Sequence, residues 1–329
     1  MTAPLLEIRG LAVDIPTERG LAQILTGVDF ALARGESLGI VGESGSGKSM
    51  TALAIMGLLP LRARVRGSIL LDGTDLLQSS EPELCRVRGR RIAMVFQEPM
   101  TALNPVMPIG RQVAEGIELH LGVARAEAEA RAARLLDRVG MPPSRVSPAT
   151  HPHRLSGGQR QRVMIAIALA CGPELLIADE PTTALDVTTQ AQILDLIAGL
   201  ADETGMALIL ISHDLGIVAE TTARAMVMYA GGVVETAPTG ELFAHMAHPY
   251  SRGLLAASPH AALALAESGR LAAIPGRVPD PAALPPSCPF AERCGHVQAD
   301  CRAARPPLDP LEPGHFAACY HPVIDTVPA

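Results

Sequence analysis

One segment constrains this chain more than any other: Gly42-Glu43-Ser44-Gly45-Ser46-Gly47-Lys48-Ser49. It fits G-x-x-x-x-G-K-[ST], a loop whose backbone N–H groups converge on phosphate oxygens. Its flanks are those that such a loop requires. Leu38-Gly39-Ile40-Val41 is short and apolar, as a buried parallel strand should be. Met50 to Met56 reads as a buried helix, closing at Gly57 and stopped by Pro60. Lys48 is the only lysine among 27 cationic residues, the rest being Arg. Coding bias accounts for the arginines. A compact ammonium at a tight phosphate site cannot be exchanged for a planar guanidinium, so the exception argues against an ordinary Gly/Ser turn. Lys48 is expected to meet the β- and γ-phosphates of a nucleotide, and the Ser49 hydroxyl to hold Mg²⁺.

A second apolar run, Leu175-Leu176-Ile177-Ala178, ends in Asp179-Glu180. A strand of this kind delivers carboxylates to the carboxyl edge of a parallel sheet, where ligands bind. Asp179 fits a Mg²⁺-side acid and Glu180 a general base for water. Two solvated acids ahead of Pro181 would give the same pattern. Ser156, 23 residues before Asp179, opens Ser156-Gly157-Gly158-Gln159. Ser156 can cap a helix running through Arg160 to Ala170, and the two glycines leave N–H groups exposed. That makes a second anion-binding end, built without lysine. A chain with two such ends can sandwich ATP between two subunits.

With Leu155 to Gln159 in place, the chain resembles the nucleotide-binding domain of ABC transporters, whose signature motif this segment matches; the resemblance covers about residues 5 to 255. It implies roles for further residues. Gln97, after Ile92-Ala93-Met94-Val95-Phe96, matches the Q-loop glutamine that touches Mg²⁺ and senses the transport subunit. Ala184-Leu185-Asp186 resembles the D-loop at the dimer interface, and His213 matches the switch histidine that contacts the γ-phosphate. Ile15 stands where the family usually has an aromatic on the adenine. It covers the base by dispersion without a π-face, so the phosphates are expected to carry most of the affinity.

Gln97-Glu98-Pro99-Met100-Thr101-Ala102-Leu103-Asn104-Pro105 and His151-Pro152-His153-Arg154 are similar to stretches in the oligopeptide, dipeptide and nickel importer family. Between them Arg125 to Val139 reads as a helix stopped at Gly140. The resemblance implies an ATPase energising peptide uptake. Its implied partners are a second, different ABC ATPase subunit, two integral membrane permease subunits and an extracytoplasmic substrate-binding protein. A nickel or glutathione importer of the same family, and a soluble ABC ATPase acting on nucleic acid, are the alternatives. Against the last stand a net charge of -7 and 2% aromatic residues without Trp, since nucleic-acid binders favour basic surfaces and stacking rings. The chain has no run of 18 uninterrupted apolar residues, and Met1 to Gly10 lacks a signal-peptide core. The implied location is therefore peripheral, on the cytoplasmic face of the plasma membrane.

The expected fold is α/β: a RecA-like P-loop core, an antiparallel β subdomain, a helical subdomain and a small Cys-rich carboxyl-terminal extension. Alternation in Val28-Asp29-Phe30-Ala31-Leu32 and the turn at Asp72-Gly73 point to the antiparallel part. The expected division is a nucleotide-binding domain over residues 1–255, helical at about 100–160, and a Pro/Cys-rich extension over 256–329. An Ala-rich segment lies near residue 270, and Ile274 to Pro286 reads as an extended linker. Cys288, Cys294, Cys301 and Cys319 follow with spacing C-x5-C-x6-C-x17-C, too open for the C-x2-C knuckles of structural zinc. Four thiolates suit a [4Fe–4S] cluster, which accepts varied spacings, and the family resemblance implies one. A mixed Cys/His zinc site using His296, His315 or His321, and four free thiols, stay open. Cys85 and Cys171 are isolated and read as ordinary thiols.

Overall fold

The computed structural model describes residues 3–18, 20–97, 102–183, 185–258 and 273–323. In chain order the strands are β1 (Leu6–Thr17), β2 (Gly20–Leu32), β3 (Ser37–Val41), β4 (Arg64–Leu71), β5 (Thr74–Asp75) and β6 (Ile92–Val95). They continue with β7 (Leu175–Asp179), β8 (Ala207–Ile211), β9 (Arg224–Tyr229), β10 (Gly232–Pro238), β11 (Asp309–Glu312) and β12 (His315–Ala317). The chain forms two compact units: Met1–Leu32 with Ser37–Leu77 and Leu210–Ala329, and Ala33–Glu36 with Gln78–Ile209. β8 carries the chain from the second into the first.

In the first unit, β2, β1, β4 and β5 form an antiparallel sheet in that order. Val28, Phe30 and Leu32 point into the core while Asp29 and Ala31 face out, the period-2 alternation of a half-buried strand. Asp72 and Gly73, at φ 53° and 81°, make the tight turn from β4 to β5. A second run of strands follows the order β11-β12-β10-β9-β3. β3 pairs parallel to β9, and the remaining pairs are antiparallel. The extension is therefore built into the sheet, because β12 adds to the edge of β10 with Glu235 opposite Ala317.

The segment from residue 273 to 286, expected to be an extended linker, bends at Gly276 and makes a short 3-10 turn at Pro281–Ala283, and it does more than space two parts. Ile274, Val278 and Leu284 pack against a core that holds Val41, Tyr229, Tyr250 and Phe290. Tyr229 and Phe290 meet edge to face at 5.3 Å, and Tyr229 and Tyr250 lie 4.5 Å apart. The whole chain has three Tyr and five Phe, so this cluster takes a large part of its aromatic surface. Each such pair contributes about 0.5–1.5 kcal/mol beyond area burial. Phe290 is thus the apolar anchor of the extension. The Ala-rich segment near residue 270 lies outside the described residues.

In the second unit, β6 and β7 pair in parallel and β7 neighbours β8. Every residue of β7 and β8 is buried, which explains their unbroken apolar runs. Just before β7, Arg91 and then Arg34 grip Glu174 and hold its carboxyl down at about 2. The helix Ile109–Leu121 packs on Arg125–Arg138, and both touch Gly157–Leu169; Val113, Ile117, Ala132 and Leu136 are buried. Gly140, at φ 80°, follows the end of Arg125–Arg138. No helix among the described residues is long and apolar enough to cross a membrane.

Candidate active site

β3 runs straight into the phosphate-type loop, which ends where the helix Lys48–Ile55 begins. Gly47 caps that helix in a left-handed conformation at φ 104°, and Gly45 takes φ 80°. Loops of this kind turn successive N–H groups inward as an anion cradle. Lys48 Nζ arches over the loop and donates to the carbonyls of Gly42 (2.8 Å) and Glu43 (3.1 Å). Ser49 is half-buried in the first helical turn, as a Mg²⁺-side hydroxyl needs to be. Ser46 Oγ is buried without a protein partner, so the cradle keeps one polar atom in reserve. The Ser212 N–H donates to the Ile40 carbonyl beside the loop strand, which sets the exposed His213 one residue beyond. Ile15 is half-buried on β1, paired with Ala22 of β2.

The second unit carries the acidic residues. Asp179 ends β7, buried, and Glu180 follows at φ 44°, a conformation few non-glycine residues adopt. Gln97 Nε2 and the Thr183 hydroxyl each donate to Glu180 Oε2 at 3.0 Å. The two residues read as Q-loop glutamine and general base thus touch. Strain of this kind clusters at functional sites, where surrounding contacts over-determine it. Ser156 caps Gly157–Leu169 in a reciprocal capping box with Gln159, at 3.3 Å and 3.0 Å. A Cβ on Gly158 would lie 2.6 Å from the Thr189 methyl, so glycine lets the two helices approach. Asp186 caps Val187–Thr204, and the N–H and hydroxyl of Thr189 hold its carboxyl below the usual range. The signature and the D-loop aspartate therefore adjoin through Thr189. Ala184 and the segment Glu98-Pro99-Met100-Thr101 lie outside the described residues.

The extension gathers its cysteines. Cys288, Cys294, Cys301 and Cys319 line one small cavity with Phe290, Ala291 and Pro306, and the Cys288 N–H donates to the Cys301 carbonyl at 3.0 Å. Burial pushes the Cys288, Cys294 and Cys319 thiols up, Cys319 to about 11, and the neighbouring thiols add to it. Cation charge among them would reverse that balance. Four cysteines lining one cavity are the donor set that a thiolate-bound group needs. His321 bonds Asp300 at 2.9 Å and, with Cys301, brings three ligand atoms within 4.8 Å of one another. His296 lines the cavity, whereas His315 is taken up by Glu235 at 2.8 Å in a buried pair.

Two residues that sequence reading did not single out reach the phosphate loop. Tyr250 Oη accepts the Glu43 N–H at 2.8 Å, and Arg293 grips the Glu43 carboxylate at 2.6 Å and 2.9 Å. Arg293 directly precedes Cys294, in a segment whose cysteines drew all the attention. Its one sequence signal was a cation beside a cysteine.

Residues 25–183 match the ABC transporter family. A putative peptide import ATP-binding protein of Brucella abortus is 51% identical over 319 residues, spanning 97% of this chain and 95% of its own. The chain belongs to the ATP-binding proteins of ABC transporters. It is accordingly an ABC-type ATPase. Residues 234–301 of this ABC ATPase match the carboxyl-terminal region of oligopeptide/dipeptide transporters. The oligopeptide transport ATP-binding protein OppD of Salmonella typhimurium is 48% identical over 97% of the chain and 94% of its own length. Among solved structures, a dimeric ATP-binding cassette in a post-hydrolysis state with ADP and Pi matches at a TM-score of 0.64 and 26% identity, over 71% of this chain and 98% of that one. cbiO1 of Clostridium perfringens, part of the cbiONQ transporter, matches at 0.64 and 28%, over 74% and 92%.

Proposed function

We propose that this ABC ATPase energises uptake of oligopeptides or dipeptides. The observation that carries this reading is that likeness to peptide import proteins runs through the extension as well as the cassette. In it, residues 1–255 act as the nucleotide-binding domain and 256–329 as an extension of the peptide-importer type. Gly42, Glu43, Ser44, Gly45, Ser46, Gly47 and Lys48 hold the phosphates, and Ser49, Gln97 and Asp179 hold Mg²⁺. Glu180 takes the proton of the attacking water and His213 meets the γ-phosphate. Ser156, Gly157, Gly158, Gln159 and Asp186 serve the ATP on a second, different ABC ATPase subunit. Closure of that pair on ATP drives two permease subunits, fed by an extracytoplasmic binding protein, with the ATPase at the cytoplasmic face. The outward Val106 and Leu119, 82% and 77% exposed, are apolar surface of the kind that docks on a partner and support a permease contact. Reconstitution with the cognate permease, ATPase and binding-protein subunits in liposomes tests this. Peptide-loaded binding protein is expected to stimulate phosphate release; stimulation by nickel or glutathione with none by peptide overturns it.

Cys288, Cys294, Cys301 and Cys319 hold a [4Fe–4S] cluster in this proposal, with a structural role. The cavity that all four cysteines line supports it. The residues around them offer few large apolar side chains, so a staple suits the segment. Anaerobic purification followed by iron, sulfide and zinc analysis is expected to find about four irons per chain with matching sulfide. One zinc without sulfide would instead assign a site of the Cys301, Asp300 and His321 kind.

A further inference from the structure

We infer that Arg293, from the Cys-bearing extension, is a positioning residue for the phosphate-binding loop, holding Glu43 so that the loop accepts a polyphosphate. The pair joins residues 250 apart in sequence, and the Arg293 side chain is only 4% exposed. Every part of the guanidinium is engaged. Nη1 and Nη2 take the two Glu43 oxygens, Nε donates to the Pro275 carbonyl at 2.8 Å, and Nη1 also reaches Tyr229 Oη at 3.3 Å. The Tyr229 and Phe290 rings flank it at 5.7 Å and 5.8 Å. A planar fork fixed on all sides is a rigid clamp that lysine cannot imitate.

Glu43 is the residue that needs clamping. It puts a carboxylate inside an anion-binding loop, where an unpaired negative charge repels the phosphates. Arg293 neutralises that charge and draws it toward the extension. The backbone is caught as well, since the Glu43 N–H donates to Tyr250 Oη at 2.8 Å. Side chain and backbone of Glu43 are thus both held. The Gly42 and Glu43 carbonyls receive Lys48 Nζ, so fixing Glu43 also fixes the rest position of the lysine. Through these contacts the extension reaches the nucleotide.

ATP affinity of full-length Arg293→Ala, Arg293→Lys and the double variant Arg293→Ala/Glu43→Gln, read by displacement of a fluorescent nucleotide alongside thermal unfolding, tests the assignment. Arg293→Ala is expected to weaken ATP binding at least tenfold, Arg293→Lys to fall between it and the parent, and the added Glu43→Gln to restore most of the loss. KM for ATP should rise while kcat changes little. If Arg293→Ala does not fold, Arg293→Lys against Arg293→Lys/Glu43→Gln gives the same comparison. Affinity within twofold of the parent in a folded arginine variant overturns the inference. So does failure of Glu43→Gln to rescue, which would leave Arg293 a purely structural residue.

Discussion

Glu180→Gln is expected to leave ATP binding in place and lower turnover by about two to four orders of magnitude, the usual reach of general-base catalysis. The substitution is isosteric, so the frame around the side chain survives. Gln97 Nε2 and the Thr183 hydroxyl both donate to Glu180 Oε2, and an amide oxygen at that point accepts them equally well. The amide cannot take a proton from water. The left-handed backbone at φ 44° aims the side chain from the end of β7, and an unchanged backbone keeps that aim. Steady-state phosphate release and nucleotide binding, measured on the same preparation, check the result. A variant hydrolysing ATP near the parent rate would remove Glu180 from the role of base. With hydrolysis blocked, the ATP-bound pair with the second ABC ATPase subunit should also accumulate, visible as co-elution of the two chains in size exclusion.

Gly42→Ala is expected to abolish measurable ATP binding and to lower stability by several kcal/mol. A Cβ built there lies 2.2 Å from the Met228 carbonyl oxygen and 2.7 Å from Ser46 Oγ. Ser46 could rotate, but Met228 belongs to β9, which is paired on both sides and cannot retreat. The backbone at φ 152° adds strain for any residue with a side chain. Overpacking costs about 1–3 kcal/mol, and a disfavoured backbone about as much again. The loop start would move off β9 and carry with it the Gly42 carbonyl that receives Lys48. Calorimetric titration with ATP and thermal unfolding read the two effects. Parent-like ATP affinity would mean that the loop tolerates the displacement, and that the approach to Met228 does not set its shape.

Where the sequence spoke clearly, the determinants were local. The phosphate loop, the helix beginning at Lys48 and the capped helix beginning at Gly157 are each specified within about ten residues, by glycines, a cap and an apolar run. Gln159 returning to the Ser156 N–H is a capping box, readable three residues apart. Buried strands such as β7 announce themselves because both faces exclude water. The contact between Gln97 and Glu180 was not written in either segment; it follows from pairing β6 beside β7.

The extension shows the same division more sharply. Its prolines suggested an extended chain, where the structure has a short 3-10 turn at Pro281–Ala283, and its cysteine spacing, with the family resemblance, directed attention to thiol chemistry. That the chain would lie on the Tyr229, Tyr250 and Phe290 cluster, and that β12 would add to β10, depended on surfaces created only after the core had formed. By itself the sequence determined the loops, caps and strand runs of a nucleotide-handling cassette, because short-range sterics and hydrogen bonding decide those. Only the tertiary structure decided that Arg293 would meet Glu43 across 250 residues and His315 would meet Glu235 across 80. A buried charge becomes tolerable only where folding brings its partner, and no local pattern records where that will be.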